Sequence, residues 1–382
     1  MKYIDEYRNP ETAIYLRKEI ERLAGELGKQ NKTANIMEVC GSHTMAIGRF
    51  AIRELLPKNI SLISGPGCPV CVTDPGYIDA AVQLAKRDDI IIATFGDMIN
   101  VPGSISLLAQ KEETDSRNKI GYTLAKCRSN GAHVEVCYSP INALELSEKY
   151  PDKQIVFLAI GFETTTAPIL GLLGIVERQN IQNISLLTAF KLVPPALEAL
   201  ASDSELNIDA FLCPAHVSVI IGADAYIPFV EKYNMPCVIA SFEPVEILFG
   251  LMGILKQLVN GTAKVENQYK RFVRSSGNIK ALELISKYLE VYDASWRGIG
   301  CIPNSGLRLK KEYLKFDAAE RFGIELKSGE SNSACCCGDV LKGKISPPVC
   351  PLFGKLCNPL NPIGPCMVSS EGTCAAHYKY SR

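Results

Sequence analysis

Short apolar runs that do not alternate with polar residues recur along the chain, at residues 36–39, 60–63, 90–95 and 134–138, with helical segments between them. This length and texture predict strands of a parallel sheet covered on both faces, because a strand buried on both sides needs no polar face. The cycle restarts at 155–160 and continues at 184–190, 210–213 and 237–240. Ahead of it, Ile14, Leu16, Ile20, Leu23 and Leu27 fall near helical spacing and predict an amphipathic helix over 11–28, ended by Gly28. From about residue 260 the texture changes. Helical segments near 279–292 give way to Trp296-Arg297-Gly298-Ile299-Gly300 and then to a Cys-, Pro- and Gly-rich tail with little periodicity. Such a tail buries too little apolar surface to fold on that alone, so a metal centre is its expected organiser.

The first strand runs into Glu38-Val39-Cys40-Gly41-Ser42-His43-Thr44, after which Met45, Ala46, Ile47, Phe50, Ile52 and Leu55 read at helical spacing. Cys40 therefore ends a strand just before a helix, where open α/β sheets bind ligands and where the helix dipole is expected to favour a thiolate. A thiol, an imidazole and the Ser42 and Thr44 hydroxyls crowded there mark a candidate site. The run at 155–160 leads likewise into Gly161-Phe162-Glu163-Thr164-Thr165-Thr166, matching the first loop at Gly and Thr with an offset of 120 residues. Two similar α/β units, 31–140 and 141–262, facing a cleft are the architecture this predicts. Asp97 and His216 each follow a strand and are placed to line that cleft. Glu163, beside three threonines, is suited to place a proton or bind a small anion, or else to cap its helix.

Composition narrows the chemistry. Lys+Arg and Asp+Glu are equal at 41 each, so no net field recruits nucleic acid or an anionic membrane. No 18-residue uncharged apolar run occurs and the amino terminus lacks the apolar core of a signal peptide, so a soluble, cytoplasmic protein is expected. There is no P-loop and no G-x-G-x-x-G. The outlier is 15 cysteines, seven of them (Cys335, Cys336, Cys337, Cys350, Cys357, Cys366, Cys374) in the last 50 residues. In a reducing compartment such a cluster binds metal or does redox chemistry. Gly65-Pro66-Gly67-Cys68-Pro69-Val70-Cys71 contains a C-x-x-C, whose spacing supports thiol–disulfide exchange or, alternatively, half of a zinc site. Cys335, Cys350, Cys357 and Cys374, separated by 14, 6 and 16 residues, suit a 4Fe-4S cluster on irregular loops. Spacing alone does not select four of the seven, and a structural zinc is the alternative.

Taken in order, Cys40-Gly41-Ser42-His43-Thr44, Gly65-Pro66-Gly67-Cys68-Pro69-Val70-Cys71, Gly161-Phe162-Glu163-Thr164-Thr165, Pro214-Ala215-His216-Val217-Ser218 and the cysteine tail resemble the HypD family of hydrogenase formation proteins over nearly the whole chain. The resemblance implies a scaffold that, with the small protein HypC, assembles the Fe(CN)2CO unit of NiFe-hydrogenase, cyanide arriving from HypE, which makes it from a carbamoyl group supplied by HypF. It implies that Cys40 anchors that iron with His43 close by, that Cys335, Cys350, Cys357 and Cys374 hold a 4Fe-4S cluster, and that Cys68–Cys71 and Cys337–Cys366 form redox disulfides. Together these make a relay like that of ferredoxin:thioredoxin reductase. Cys336 falls outside the pattern. The expected architecture becomes two parallel-sheet units plus a Cys-rich domain of residues 1–30 and 263–382, packed with the N-terminal helix. Glu163 and Thr164 are expected to hydrogen-bond a cyanide nitrogen. A stand-alone iron-sulfur protein-disulfide oxidoreductase working through Cys68 and Cys71 is the rival, and it has no use for Cys40.

Overall fold

A computed structural model describes residues 5–104 and 122–380; residues 1–4, the start of the segment read above for a leader, lie outside it. The described residues carry eleven strands: β1 (Ala34–Glu38), β2 (Ile60–Ser64), β3 (Ile90–Thr94), β4 (Val134–Val136), β5 (Gln154–Gly161), β6 (Ile184–Lys191), β7 (Ala210–Pro214), β8 (Cys237–Ala240), β9 (Val265–Asn267), β10 (Leu289–Trp296) and β11 (Gly300–Leu309). They form two sheets. One, in the order β2-β1-β7-β8-β9, is parallel throughout. The other, β10-β11-β6-β5-β3-β4, is parallel from β6 to β4 and antiparallel at β10 and β11.

Each sheet draws on both halves of the chain, so residue 140 does not mark a change of sheet: β1 and β2 pair with the β7 group, whereas β3 and β4 pair with β5. The reason is the crossover. A parallel connection needs a long excursion, and the helix Pro75–Ala85 between β2 and β3 is buried along almost its whole length. A helix apolar on every side lies between layers and can pass the chain to either sheet.

The strands alternate cleanly between two apolar clusters. Met37, Val39, Phe211, Cys213 and Ile239 of the first sheet share one core with Val156, Leu158 and Ile160 of the second. The opposite faces have their own covers: Ile36, Leu212 and Val238 under one set of helices, Ile155, Phe157 and Ala159 under another. Both faces of the central parallel strands are thus dry, which explains the runs without polar alternation.

Two expectations are corrected. The helix Pro10–Lys29 does not pack with the cysteine-rich tail; Leu16, Ile20, Leu23 and Leu27 lie with the helix Pro244–Asn260 on the outer face of the first sheet. Its stripe of long apolar side chains finds there a dry sheet face, each buried Leu or Ile contributing about 1.5–3 kcal/mol. The helix expected near 279–292 stops at Tyr288, and Leu289 to Trp296 form β10, paired with β11. Val291, Tyr292 and Trp296 favour a pleated strand, and the Trp296-Arg297-Gly298-Ile299-Gly300 stretch is the turn of this hairpin.

Candidate functional site

Cys40 is the N-cap of the helix Gly41–Arg49, in extended conformation at φ −147° and ψ 120°. The Gly41 amide donates to Gly67 O at 3.0 Å, holding the C-x-x-C loop against it. A Cβ at position 67 would lie 2.4 Å from Cys40 N, so only glycine fits. Behind the loop, buried Glu38 accepts from Cys40 N at 3.3 Å and from Thr44 Oγ1 at 2.6 Å. Thr44 therefore braces the loop through Glu38. Burial pushes the Glu38 carboxyl up to about 7, against the pull of Ser64, Thr44, Arg53 and the Cys40 amide.

The expected thiolate at Cys40 is overturned. The residue is 8% exposed, and burial, reinforced by the charges of Glu371 and Glu38, pushes the thiol up to about 12 although the His43 and Ser42 amides oppose this. A short helix does not outweigh lost hydration plus two carboxylates.

His43 is fully buried. Its Nε2 sits 3.0 Å from Ala240 O and 3.1 Å from Ser241 O. Carbonyls only accept, so Nε2 carries the proton and Nδ1, which has no partner, is a bare acceptor. Burial lowers the imidazole to about 4, so the ring is neutral at physiological pH. Phe242 links it to exposed His216, with ring centroids 4.9 Å from His43 and 4.5 Å from His216. His216 is lowered by burial against the pull of Glu371.

Two carboxylates that sequence reasoning missed, Glu38 and Glu371, shape this place. Glu371 accepts from Ser42 Oγ at 2.8 Å. Next to it, Asp97 accepts from Ser369 Oγ at 2.9 Å and from Ser370 N at 3.2 Å. Asp97 thus fastens the tail segment that carries Glu371. A signal was present: Glu371 is the only acidic residue after Asp339.

Glu163 starts the helix Glu163–Arg178 and is buried; its Oε1 accepts from Val193 N at 3.0 Å and its Oε2 has no partner. Burial raises it to about 7, so about half of it is protonated at neutral pH. Thr164 beside it is half-buried. Among the described residues no hydrogen bond or ion pair joins Glu163 or Thr164 to the Cys40 loop.

The thiols converge. Cys68 and Cys71 lie 2.6 Å apart, Cys71 faces Cys366, and Cys366 lies 3.3 Å from Cys337, all as free thiols. Burial is the chief reason that Cys71 is raised well above an ordinary thiol. Cys350 and Cys357 sit in one small apolar cluster with Leu352, Ile363 and Met367, and Cys335, Cys336 and Cys374 pack against it. Among the described residues no three His, Cys, Asp or Glu side chains are arranged to hold a metal ion. The donors present are nonetheless of the kind an iron-sulfur cluster takes: five cysteines in a largely apolar shell.

Comparison with known proteins accords with the motifs. Residues 12–381 match the family model described as "HypD: Hydrogenase formation hypA family". The chain is similar to hydrogenase maturation factor HypD of Azotobacter vinelandii, 45% identical over 100% of this chain and 97% of that one. It is similar to HypD of Escherichia coli (strain K12), 40% identical over 100% of this chain and 98% of that one. A putative hydrogenase expression/formation protein of Methanocaldococcus jannaschii is 41% identical over 96% of this chain and 97% of its own. The chain belongs to the HypD family, the hydrogenase maturation factors.

Proposed function

We propose that this chain, joined by a HypC-type small partner, is the scaffold on which the Fe(CN)2CO unit of NiFe-hydrogenase is assembled, with Cys40 as its anchor for that iron and a HypE-type partner delivering cyanide. The observation that carries this reading is the bare, buried Nδ1 of His43 one helical turn from the protonated Cys40 thiol. An orphan acceptor beside a soft ligand is costly for folding and useful for holding cargo. Iron bearing cyanide and carbon monoxide is a soft centre that suits a thiolate, and binding it draws off the Cys40 proton. His43 does not protonate a ligand, since its one N–H is committed to two carbonyls. It orients one. Glu163, about half protonated at pH 7, in its neutral form has a proton with which to hydrogen-bond a cyanide nitrogen.

Cys335, Cys350, Cys357 and Cys374 are the residues that would hold a 4Fe-4S cluster, which supplies single electrons when bound. Cys68 with Cys71, and Cys337 with Cys366, are the dithiols of the relay. Cysteines that stay reduced belong in the cytoplasm, and no helix among the described residues is long and apolar enough to cross a membrane. The test is iron analysis of the anaerobically purified complex with its HypC-type partner. Cys40→Ala loses the cargo iron and keeps the visible absorbance of the tail cluster. Cargo iron retained by that variant places the anchor elsewhere.

A further inference from the structure

Cys40 is 8% exposed, too closed for the proposed cargo, an iron that already carries cyanide and carbon monoxide, to reach its sulfur. One of the elements around it has to move. The C-x-x-C loop is wedged onto the Cys40 backbone at Gly67, and the carbonyls that hold His43 belong to the end of β8 and the residue after it. The remaining neighbour is the loop of residues 369–372, between the helices Pro365–Val368 and Thr373–Tyr380. It lies on the peptide next to Cys40: a Cβ at Gly41 would stand 2.4 Å from Glu371 Cβ and 2.5 Å from Glu371 O. Ser42 Oγ donates to Glu371 at 2.8 Å. Asp97 holds the loop from the other side. It follows β3 of the second sheet, whereas Cys40 follows β1 of the first, so the loop joins the carboxyl edges of both. A single oxygen, Asp97 Oδ2, accepts from Ser369 Oγ at 2.9 Å, Ser370 N at 3.2 Å and Ser370 Oγ at 3.1 Å.

This loop is held differently from the other two neighbours. Ser370 is exposed, Asp97 and Glu371 are half-buried, and of the 8 residues in the helix Thr373–Tyr380 only Thr373 and Ala376 are buried. Little apolar surface is uncovered when such a segment lifts, so it opens at lower free energy than the dry strands beside it. Its far end is tied in: a Cβ at Gly372 would lie 2.2 Å from Cys366 O, and Cys374 packs on the cysteine cluster of the tail. The loop therefore moves as a flap rather than as a fraying terminus. We propose that the loop 369–372 is a flap over Cys40, latched from the second sheet by Asp97, and that its release is the step that admits the cargo iron to the anchor. This rests on the reading of Cys40 as that anchor. Opening breaks the bonds to Asp97 and Ser42, uncovers the sulfur and carries the Glu371 carboxylate away from it; no covalent step is involved.

The experiment uses the full chain, reduced and anaerobic, with iodoacetamide as the probe and the alkylated cysteines quantified over time by mass spectrometry. Asp97→Ala removes the acceptor of all three latch bonds, which raises the population of the open flap and with it the alkylation rate of Cys40 at least about tenfold. Asp97→Asn keeps an acceptor oxygen and stays within about threefold of the unaltered chain. Cys213 and Cys237, fully buried in β7 and β8, react at unaltered rates in both variants. A merely structural Asp97 predicts instead that all three thiols accelerate together. Hydrogen exchange on the unaltered chain is the second measurement. The amides of Ser370, Glu371 and Gly372, which bond only to Asp97 and Ser369, exchange together and faster than those of β1 and β7. An unaltered Cys40 rate in folded Asp97→Ala, or acceleration of Cys213 and Cys237 alongside Cys40, overturns the proposal. So do loop amides as slow as those of β1, even if Asp97→Ala fails to fold. The flap is read by thiol labelling and the anchor by iron retention in Cys40→Ala, so the two fail separately.

Discussion

Glu163→Gln tests the site's electrostatics through stability. The carboxyl is fully buried and raised from the ordinary 4.5 to about 7, by burial first. As pH rises above 4.5 the unfolded chain ionises while the folded carboxyl keeps its proton until about pH 7. The group's stabilising contribution, complete below 4.5, is therefore lost across that interval. The loss is about 3 kcal/mol, at about 1.4 kcal/mol per pH unit in the steep part. Gln keeps an oxygen for the Val193 amide and cannot ionise, but it buries an N–H pair at a cost of about 1–2 kcal/mol. Glu163→Gln is thus less stable than the unaltered chain near pH 5 and about 1–2 kcal/mol more stable at pH 8. Glu38, also near 7, leaves a residual slope in the variant. The assay is urea unfolding from pH 5 to 8 under anaerobic conditions, followed by fluorescence of Trp296, the only tryptophan. Parallel pH profiles for the two proteins would refute the reasoning, because they would mean that this carboxyl titrates as in the unfolded chain.

Two further outcomes follow from the geometry. Gly67→Ala drives a methyl group into the Cys40 backbone, so it lowers stability by about 1–3 kcal/mol, seen as a lower melting temperature, and also reduces retention of the cargo iron. In nitrogen-15 NMR the His43 ring stays a neutral Nε2–H tautomer between pH 5 and 8, since its protonation lies near 4; a midpoint near 6.5 would contradict its burial.

The central parallel strands were legible because each is dry on both faces, and such a run carries its own signature. Its sheet does not. Ile60 and Ile90 begin runs of the same texture, yet the first belongs to β2 of one sheet and the second to β3 of the other, since the choice is made by the crossover helix Pro75–Ala85. The β10 and β11 hairpin was hidden because β10 begins where a helical pattern ends, at Tyr288. At the site, Cys40, Cys68, Cys71 and His43 announced themselves by residue type and spacing. Glu371 stood out only as the last acidic residue of the chain, and nothing in a linear pattern ties it to Ser42, 329 positions away. Nor did the raised thiol of Cys40 announce itself, since it depends first on burial and then on the charge of Glu371, both supplied by the fold. Asp97 was found but in a different role, as the fastening of the tail.

The measurement that tests the central claim most directly is infrared spectroscopy in the cyanide and carbonyl stretching region, on anaerobically purified protein co-expressed with its HypC-type partner. The account predicts bands from both ligand types in the unaltered complex and their loss in Cys40→Ala, with the visible absorbance of the tail cluster retained. Bands that persist in Cys40→Ala, or none in a brown unaltered complex, would contradict it.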